Sequence, residues 1–360
     1  MTNSSTTGGS AGTTRRRAVL FEALDDLDAI NEMYHERRWT DGLPIIPPTE
    51  ERVLRMLKHS RRSPDDVVAI LAPAFGAATV ERIAINAVMA GCPDALLPVL
   101  VAAVEAVAEK GFNLQAIQCT THPAAVWIIV NGPVAQRLQI NGTFNCLGQG
   151  TRANGALGRA LRLILQNVGG ALPAEMDRST QGQPGKYSFC CAENEGDSPW
   201  EALHVERGFA PEASTVTVVA AGGTLNMNTH TKDGDELLRV IARSMAYPPS
   251  NDYWIAGEPW LALSPEHAEI LKKSGYTKAE VKRRLWEGSK LAGREMAARD
   301  LVRINTARSA ELGEIGPDSM IPISSSAETM GIIVAGGPGT HSVYVPCFGD
   351  SRAVTKQVVE

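Results

Sequence analysis

Aromatic side chains make up only 5% of this 360-residue chain, so its core must be packed mainly from the aliphatic part of a sequence that is 44% hydrophobic. The cysteines are few and unpatterned. Cys92, Cys119, Cys146, Cys190, Cys191 and Cys347 contain no Cys-x-x-Cys pair, and their spacing fits neither a four-ligand zinc site nor a disulfide framework. They read as thiols of a reduced, cytoplasmic protein. Long apolar runs are missing too: the longest, from Ala95 to Val104, is broken by Pro98 and closed by Glu105, far short of the ~20 residues that a membrane span requires. There is no excess of positive charge either. Lys+Arg 35 against Asp+Glu 40 gives a net charge of −5, which excludes a global field that would draw nucleic acid or anionic lipid. Arg15-Arg16-Arg17 is followed by acid-bearing residues instead of an apolar export region, and reads as a basic edge. No fixed-period repeat and no GK[ST] phosphate loop occurs.

What remains is an aliphatic, turn-rich chain in which Gly 33 and Pro 21 join apolar segments through many shaped loops. Residues 1–17 are rich in Ser, Thr and Gly, lack an apolar anchor, and read as a disordered tail. Helical spacing predicts helices over 18–36, 49–59, 79–90, 93–109, 152–168, 234–245, 265–274 and 277–292. Short apolar runs predict strands over 66–71, 114–119, 125–130, 187–191, 215–220, 253–255, 260–263, 331–335 and 342–345. That order is an α/β fold, a mixed sheet with helices on both faces. It also suits two α/β lobes around one cleft, divided as 18–170 and 171–360.

The densest polar motif runs from Asn141 to Gly170. Gly148 and Gly150 permit backbone conformations closed to other residues, Thr151 can cap, and the helix beginning at Arg152 presents free N–H groups and the positive end of its dipole. Arg152 opposes that dipole and Arg159 lies seven residues on, on the same face. A carboxylate or phosphate between them would relieve the conflict, with Gly150 and Asn154 beside it. The plain alternative is two surface arginines paired with acids.

A second concentration spans Lys186 to Gly208, where Glu193, Glu195, Asp197, Glu201, His204 and Glu206 follow a predicted strand. Glu193 and His204 can supply acid and base groups or hold a divalent metal, and Lys186 can meet an anion. A solvated acidic loop is the bland reading. A third motif, Cys119-Thr-Thr-His122, can set a thiol beside an imidazole and so make it nucleophilic. A small buried hydrophobe is the alternative for Cys119. Cys347 is a second loop thiol, whereas vicinal Cys190 and Cys191 would point to opposite faces of a strand and make no easy dithiol. His230, Gly337 and His341 lie in loops that end strands of the second half, where open α/β sheets gather ligands. The glycine loops at 148–150, 222–223 and 336–339 are expected to line one cleft. His267 reads as structural, and His35 and His59 as surface.

Taken together, the motifs TDGLPIIPPTEERV, TVERIAINAVMAGCP, IIVNGP, GQGTRANGALGRALRLILQNVGG, STQGQPGKYSFCCAENEGDSPWEALHVERGF and PEHAEILKKSGYTKAEV resemble a bacterial family associated with the UGSC-motif (seleno)proteins, over most of residues 38–350. The active members carry a Sec or Cys in a U/C-G-S-C motif. This chain has no such motif, so redox chemistry resting on it does not carry over. The resemblance implies a bacterial cytosolic enzyme or enzyme subunit, working beside a UGSC-type partner. The residues themselves point to an enzyme acting on a small anionic, carboxylate-bearing substrate, by thiol-linked lyase or oxidoreductase chemistry with Cys119, His122, Glu193 and His204. The binding set is Gly150, Arg152, Asn154, Arg159, Lys186, His230 and Gly337. Two alternatives stay open: a metal-dependent hydrolase or hydratase, and a non-catalytic subunit that completes a UGSC-type partner's site, with Trp39 and Trp200 as interface anchors. The sequence names no cofactor and no metal. The expected partners are a small-molecule anion and, in a homo- or hetero-oligomer, other protein chains, with no nucleic acid and no membrane.

Overall fold

A computed structural model describes residues 19–360 apart from Leu24 and Pro249. The tail expected over 1–17 and the Arg15-Arg16-Arg17 edge lie outside the described residues. In chain order the first part forms α1 (Leu27–Glu36), α2 (Glu50–Leu57), a hairpin of β1 (Val67–Leu71) and β2 (Gly76–Thr79), α3 (Val80–Met89), α4 (Leu97–Ala108) and a short α5 (Leu114–Cys119). There follow β3 (Ala125–Asn131), α6 (Pro133–Arg137), α7 (Arg152–Asn167), β4 (Cys190–Ala192), α8 (Leu203–Glu206) and β5 (Thr215–Ala221). The remainder comprises β6 (Leu225–Asn228), α9 (Gly234–Met245), α10 (Asn251–Trp254), β7 (Trp260–Leu263), α11 (Pro265–Lys273) and α12 (Lys278–Gly288). After them come β8 (Leu291–Ala292), α13 (Ala298–Leu312), β9 (Met320–Ile321), β10 (Gly331–Val334), β11 (His341–Val345) and β12 (Val354–Gln357).

The fold is mixed α/β, built on two four-stranded sheets of order β4-β3-β5-β12 and β10-β7-β11-β6. Each sheet has one parallel pair, β3 with β4 and β7 with β10, and is otherwise antiparallel. The side chains of β3 alternate between two cores, as the two-residue period of a strand requires. Ile128 and Val130 join the core of α3, α4 and α7, whereas Ala125, Trp127 and Ile129 face the other way. On β7, Leu261 and Leu263 join the core of α9, α11 and α12, while Trp260 and Ala262 turn toward β3. The two sheets therefore pack face to face, each covered by helices on its outer side only. Trp127 and Trp260 meet edge to face at 6.1 Å in the middle, and Phe189 stacks on Trp127 at 5.3 Å. Gly331 leaves the space that the Trp260 indole fills: a Cβ there would lie 2.1 Å from the ring.

The expected α/β class stands, and the mixed sheet is divided into two that face each other. Because both faces of each central strand are apolar, one takes helices and the other takes the second sheet. Nor does sheet membership follow a division at 170, since β4, β5 and β12 all belong with β3. Several elements differ from their sequence patterns. The segment 114–119 is a helix, with Leu114, Ile117 and Gln118 buried at helical spacing. The segment around Tyr253 is α10, started by the Ser250 side chain, which accepts from the Asp252 N–H. The first helix begins only at Leu27, where the Asp26 carboxylate accepts from the N–H groups of Asp28 and Ala29. The strands β2, β6 and β12 and the helix α13 have weak patterns and were not anticipated. α13 buries only Ile304 and Arg308.

Asp252 fastens α10 to the second sheet. Its carboxylate accepts from the Tyr344 hydroxyl, the Cys347 N–H at 3.2 Å and the Ser250 hydroxyl at 3.2 Å, with no cation in contact. Full burial pushes its pKa up to about 7, against these hydrogen bonds. Since the folded pKa lies above the unfolded value, the native state binds the extra proton between the two, and stability falls as pH rises through that window. Asp252→Asn removes the titration, so the stability of the wild type relative to the variant should decline between about pH 4 and about pH 8 in urea unfolding. A difference that is flat with pH would show that Asp252 does not titrate there.

Candidate functional site

The N-terminal end of β3 is where charged side chains converge. α5 ends at Cys119, and Thr120 to Pro123 lead into the strand. The 171–186 segment is stitched across this turn: the Thr180 N–H donates to Thr121 O at 2.9 Å, Ser179 Oγ to His122 O at 3.1 Å, and Gln183 Nε2 to Pro123 O at 2.7 Å and Ala221 O at 2.9 Å. Backbone groups that would otherwise lack partners in a long loop are thereby satisfied, and the loop is held as the wall of a pocket of about 590 Å³. Asp41, Arg162, Asp177, Ser179, Lys186 and Tyr187 line it.

Lys186 is the centre of this constellation. Its Nζ donates to Asp177 Oδ2 at 2.6 Å and to Ser179 Oγ at 2.5 Å, and the Lys186 and Asp177 side chains are only 15% and 9% exposed. Burial lowers the lysine pKa, Asp177 raises it, and Arg162 lowers it again, leaving it below the ordinary value. Burial raises Asp177, but the Lys186 ammonium holds it below the usual carboxylate range. Arg162 enters from α7, partly buried, with neutral partners: it donates to Gln118 Oε1 at 3.1 Å and Ala171 O at 3.0 Å. One turn earlier Arg159 grips Asp41 through both carboxylate oxygens, at 2.8 and 2.9 Å. Burial pushes Asp41 up, yet Arg159 brings it below its ordinary value. Three cations thus meet two carboxylates, and Arg162 is the cation of the set whose guanidinium contacts no carboxylate.

Cys119 and His122 stand beside this pocket without forming the expected pair. Among the described residues no hydrogen bond joins them. Burial and the nearby Asp177 charge raise the Cys119 thiol pKa, the opposite of activation. The His122 ring leans on Phe348 at 5.7 Å and against Gly222, where a Cβ would lie 2.7 Å from its Cε1. Its Nδ1 is buried without a partner, and burial together with Lys186 lowers its pKa, favouring neutral imidazole.

The other expected residues lie elsewhere. Arg152 donates through Nε and Nη2 to Gly91 O at 3.2 and 3.0 Å, so it and Arg159 are engaged by separate partners. Thr151 makes no side-chain cap. Asn154 is buried, accepts from the Asn141 N–H and donates to three backbone carbonyls. Glu193 and His204 occupy the opposite end of β3. Glu193 Oε2 accepts from Asn131 Nδ2 at 2.6 Å and the Leu203 N–H at 2.7 Å, and burial raises its pKa. His204 Nε2 donates to Pro211 O at 3.1 Å, while its Nδ1 stays 3.8 Å from Glu195. His230 is exposed, and Gly150 sits in open space with φ +115°. Gly337 makes room for the Phe144 ring, 2.2 Å from where a Cβ would be.

The three glycine loops do not line one cleft. Gly222 abuts His122 at the start of β3, whereas the Gly336 N–H donates to Gly142 O near the C-terminal end of β4. Trp200 donates to Tyr276 O, and Trp39 packs between the Tyr34 and Phe21 rings, so both serve internal contacts. Among the described residues no three His, Cys, Asp or Glu side chains come together so as to hold a metal ion. None of their helices is long and apolar enough to cross a membrane. Sequence reasoning missed Asp41, Arg162, Asp177 and Ser179. Arg162 alone carried a signal, three residues from Arg159 and hence next to it on α7.

No protein-family model and no curated protein matches the sequence.

The electrostatics of Lys186 can be tested directly. In ¹³C-methylated protein, with Lys186→Arg to assign the signal, Lys186 should titrate below the other lysines. Asp177→Asn, which removes the charge that raises its pKa, should move it lower still. An upward shift in that variant would contradict the arrangement.

Proposed function

We propose that the chain is an enzyme that binds a small carboxylate-bearing substrate in the Arg162–Lys186 pocket and acts on it by proton transfer, as a lyase. The observation that carries this reading is Arg162, a guanidinium held by neutral partners in a polar pocket beside a half-buried lysine of lowered pKa. A planar guanidinium suits a carboxylate in two-point contact. Lys186, once it has released its own proton, can take one from the carbon next to that carboxylate, and Asp177 then stabilises the ammonium that forms. In such an elimination the C–H electron pair becomes the new C=C bond, and the leaving group departs with its own pair. No oxidant is required. A thiol route through Cys119 has less support, because burial and Asp177 hold that thiol protonated. All six cysteines are free, which suits a reducing compartment, and we place the enzyme in the cytoplasm.

A thermal-shift panel of malonate, succinate and tricarballylate, with their neutral amides as controls, tests the binding half. The acids should stabilise the protein and the amides should not, and Arg162→Gln should weaken the best acid about tenfold or more. Lys186→Gln should keep that binding but abolish the ultraviolet signal of C=C formation from β-hydroxy and β-amino acids. Equal stabilisation by acids and amides would remove the reading.

A further inference from the structure

One face of α3 looks into a second cavity. Glu81, Ile85 and Met89, four residues apart and hence aligned along the helix, line a pocket of about 430 Å³ together with Tyr34 and Trp39. The Tyr34 and Trp39 rings meet edge to face at 5.4 Å. Asn167, from the end of α7, holds Trp39 in place: its Nδ2 donates to Trp39 O at 2.9 Å and to Asn86 Oδ1 at 2.8 Å. That leaves the carbonyl oxygen of the Asn167 side chain, also at this pocket, as an acceptor. The walls are mainly apolar and aromatic, and the volume suits a small organic molecule.

Glu81 interrupts that wall with a carboxylate. It is 5% exposed, and among the described residues its side chain has neither a hydrogen bond nor an ion pair. The start of α3 does not need it as a cap. The Val80 N–H donates to Asp66 O at 3.1 Å, the Glu81 N–H to Pro64 O at 3.0 Å and the Arg82 N–H to Thr79 Oγ1 at 3.2 Å, so the donors of the first turn are already engaged. The cations nearby are placed otherwise. Arg82, exposed on the same helix, donates to Ala77 O at 2.8 Å, and the exposed Arg37 lies over the Phe21 and Trp39 rings at 5.0 and 4.9 Å. The helix dipole favours a negative charge at Glu81, but a buried carboxylate without a counter-charge is costly. A cation brought against it would offset that cost.

We propose that this pocket is a binding site for a small organic ammonium ion, a primary amine carried on an apolar or aromatic body. The three N–H donors of an ammonium match the acceptors gathered here, the two Glu81 oxygens and the Asn167 carbonyl oxygen. The Trp39 and Tyr34 rings take the carbon skeleton and attract the positive charge. An anion would meet the Glu81 carboxylate, and a neutral ligand would leave it unpaired, so charge selects the amine. Arg37 and Arg82 oppose it only from exposed positions, where solvent and salt screen them. The lining residues are not shared with the Arg162–Lys186 pocket, and the proposal does not depend on that pocket's assignment.

The test is isothermal titration calorimetry of the full-length protein at neutral pH with phenethylamine and hexylamine, against phenethyl alcohol and phenylpropionate as neutral and anionic probes of similar shape. At least one amine should bind, and the alcohol and the acid should bind about tenfold more weakly or not at all. Glu81→Gln, which keeps the shape and removes the charge, should weaken the amine about tenfold or more, whereas Arg162→Gln should leave its binding unchanged. Hydrogen exchange of the wild type, read by mass spectrometry, locates the site even if a variant fails to fold. The amine should slow exchange in peptides covering 34–39 and 80–89 and leave 171–186 as it was. Binding by neither amine, equal binding of amine and alcohol, undiminished binding by a folded Glu81→Gln protein, or protection confined to other segments would overturn the proposal.

Discussion

The contact between Trp127 and Trp260 is the constraint on which the rest of the structure depends. Each indole projects from the inner face of its sheet, and their edge-to-face meeting sets how closely the two sheets approach. Some inner positions, among them Ala125, Ala262 and Ala335, are small, and the space between the sheets is filled by these rings together with aliphatic residues such as Ile129 and Ile333. Gly331 is part of the same arrangement, since any side chain there would occupy the volume of the Trp260 indole. Truncating either ring would leave a cavity at the centre of the molecule, a change that costs about 3–5 kcal/mol in typical cores.

With the sheets fixed in this way, the two ends of β3 acquire different chemistry. At its start the chain enters from a helix and is overlaid by the 171–186 loop, which leaves room for a polar pocket. At its end, Asn131 Nδ2 donates to both Glu193 and Glu195, which also accept from the N–H groups of Leu203 and Gly132 respectively. Those carboxylates act as internal partners for backbone and amide groups, and burial raises the Glu193 pKa. A carboxylate-rich stretch of sequence is thus bound up with backbone and amide groups, while charges scattered over residues 41–186 meet around one pocket.

The thiols divide in the same way, according to what surrounds each sulfur. Cys92 and Cys190 lie in apolar surroundings that push their pKa values up, Cys92 to about 12. Cys119 sits near a carboxylate, with the same direction of effect. Burial and neighbouring charge, and not the count or spacing of cysteines, set how hard each of these thiols is to ionise.

The α/β class, most helices and the apolar strands expected over 125–130, 215–220, 260–263 and 331–335 were legible in the sequence, because a two-residue or a 3.6-residue period of burial is a local property. It also singled out Lys186 for substrate binding and Cys119 with His122 as a catalytic pair, since motif density marks shaped loops; in the fold no hydrogen bond among the described residues joins that pair, and Lys186 bonds Asp177 and Ser179. It could not show that the inner faces of two sheets cover each other, because an all-apolar strand looks alike whether helices or another sheet lie against it. Nor could it separate Arg162 from Arg152. That distinction rests on the carbonyl of Gly91, which engages Arg152, and on Gln118 and Ala171, which engage Arg162; Gly91 and Gln118 are distant in sequence, and chain folding alone brings them within hydrogen-bond distance.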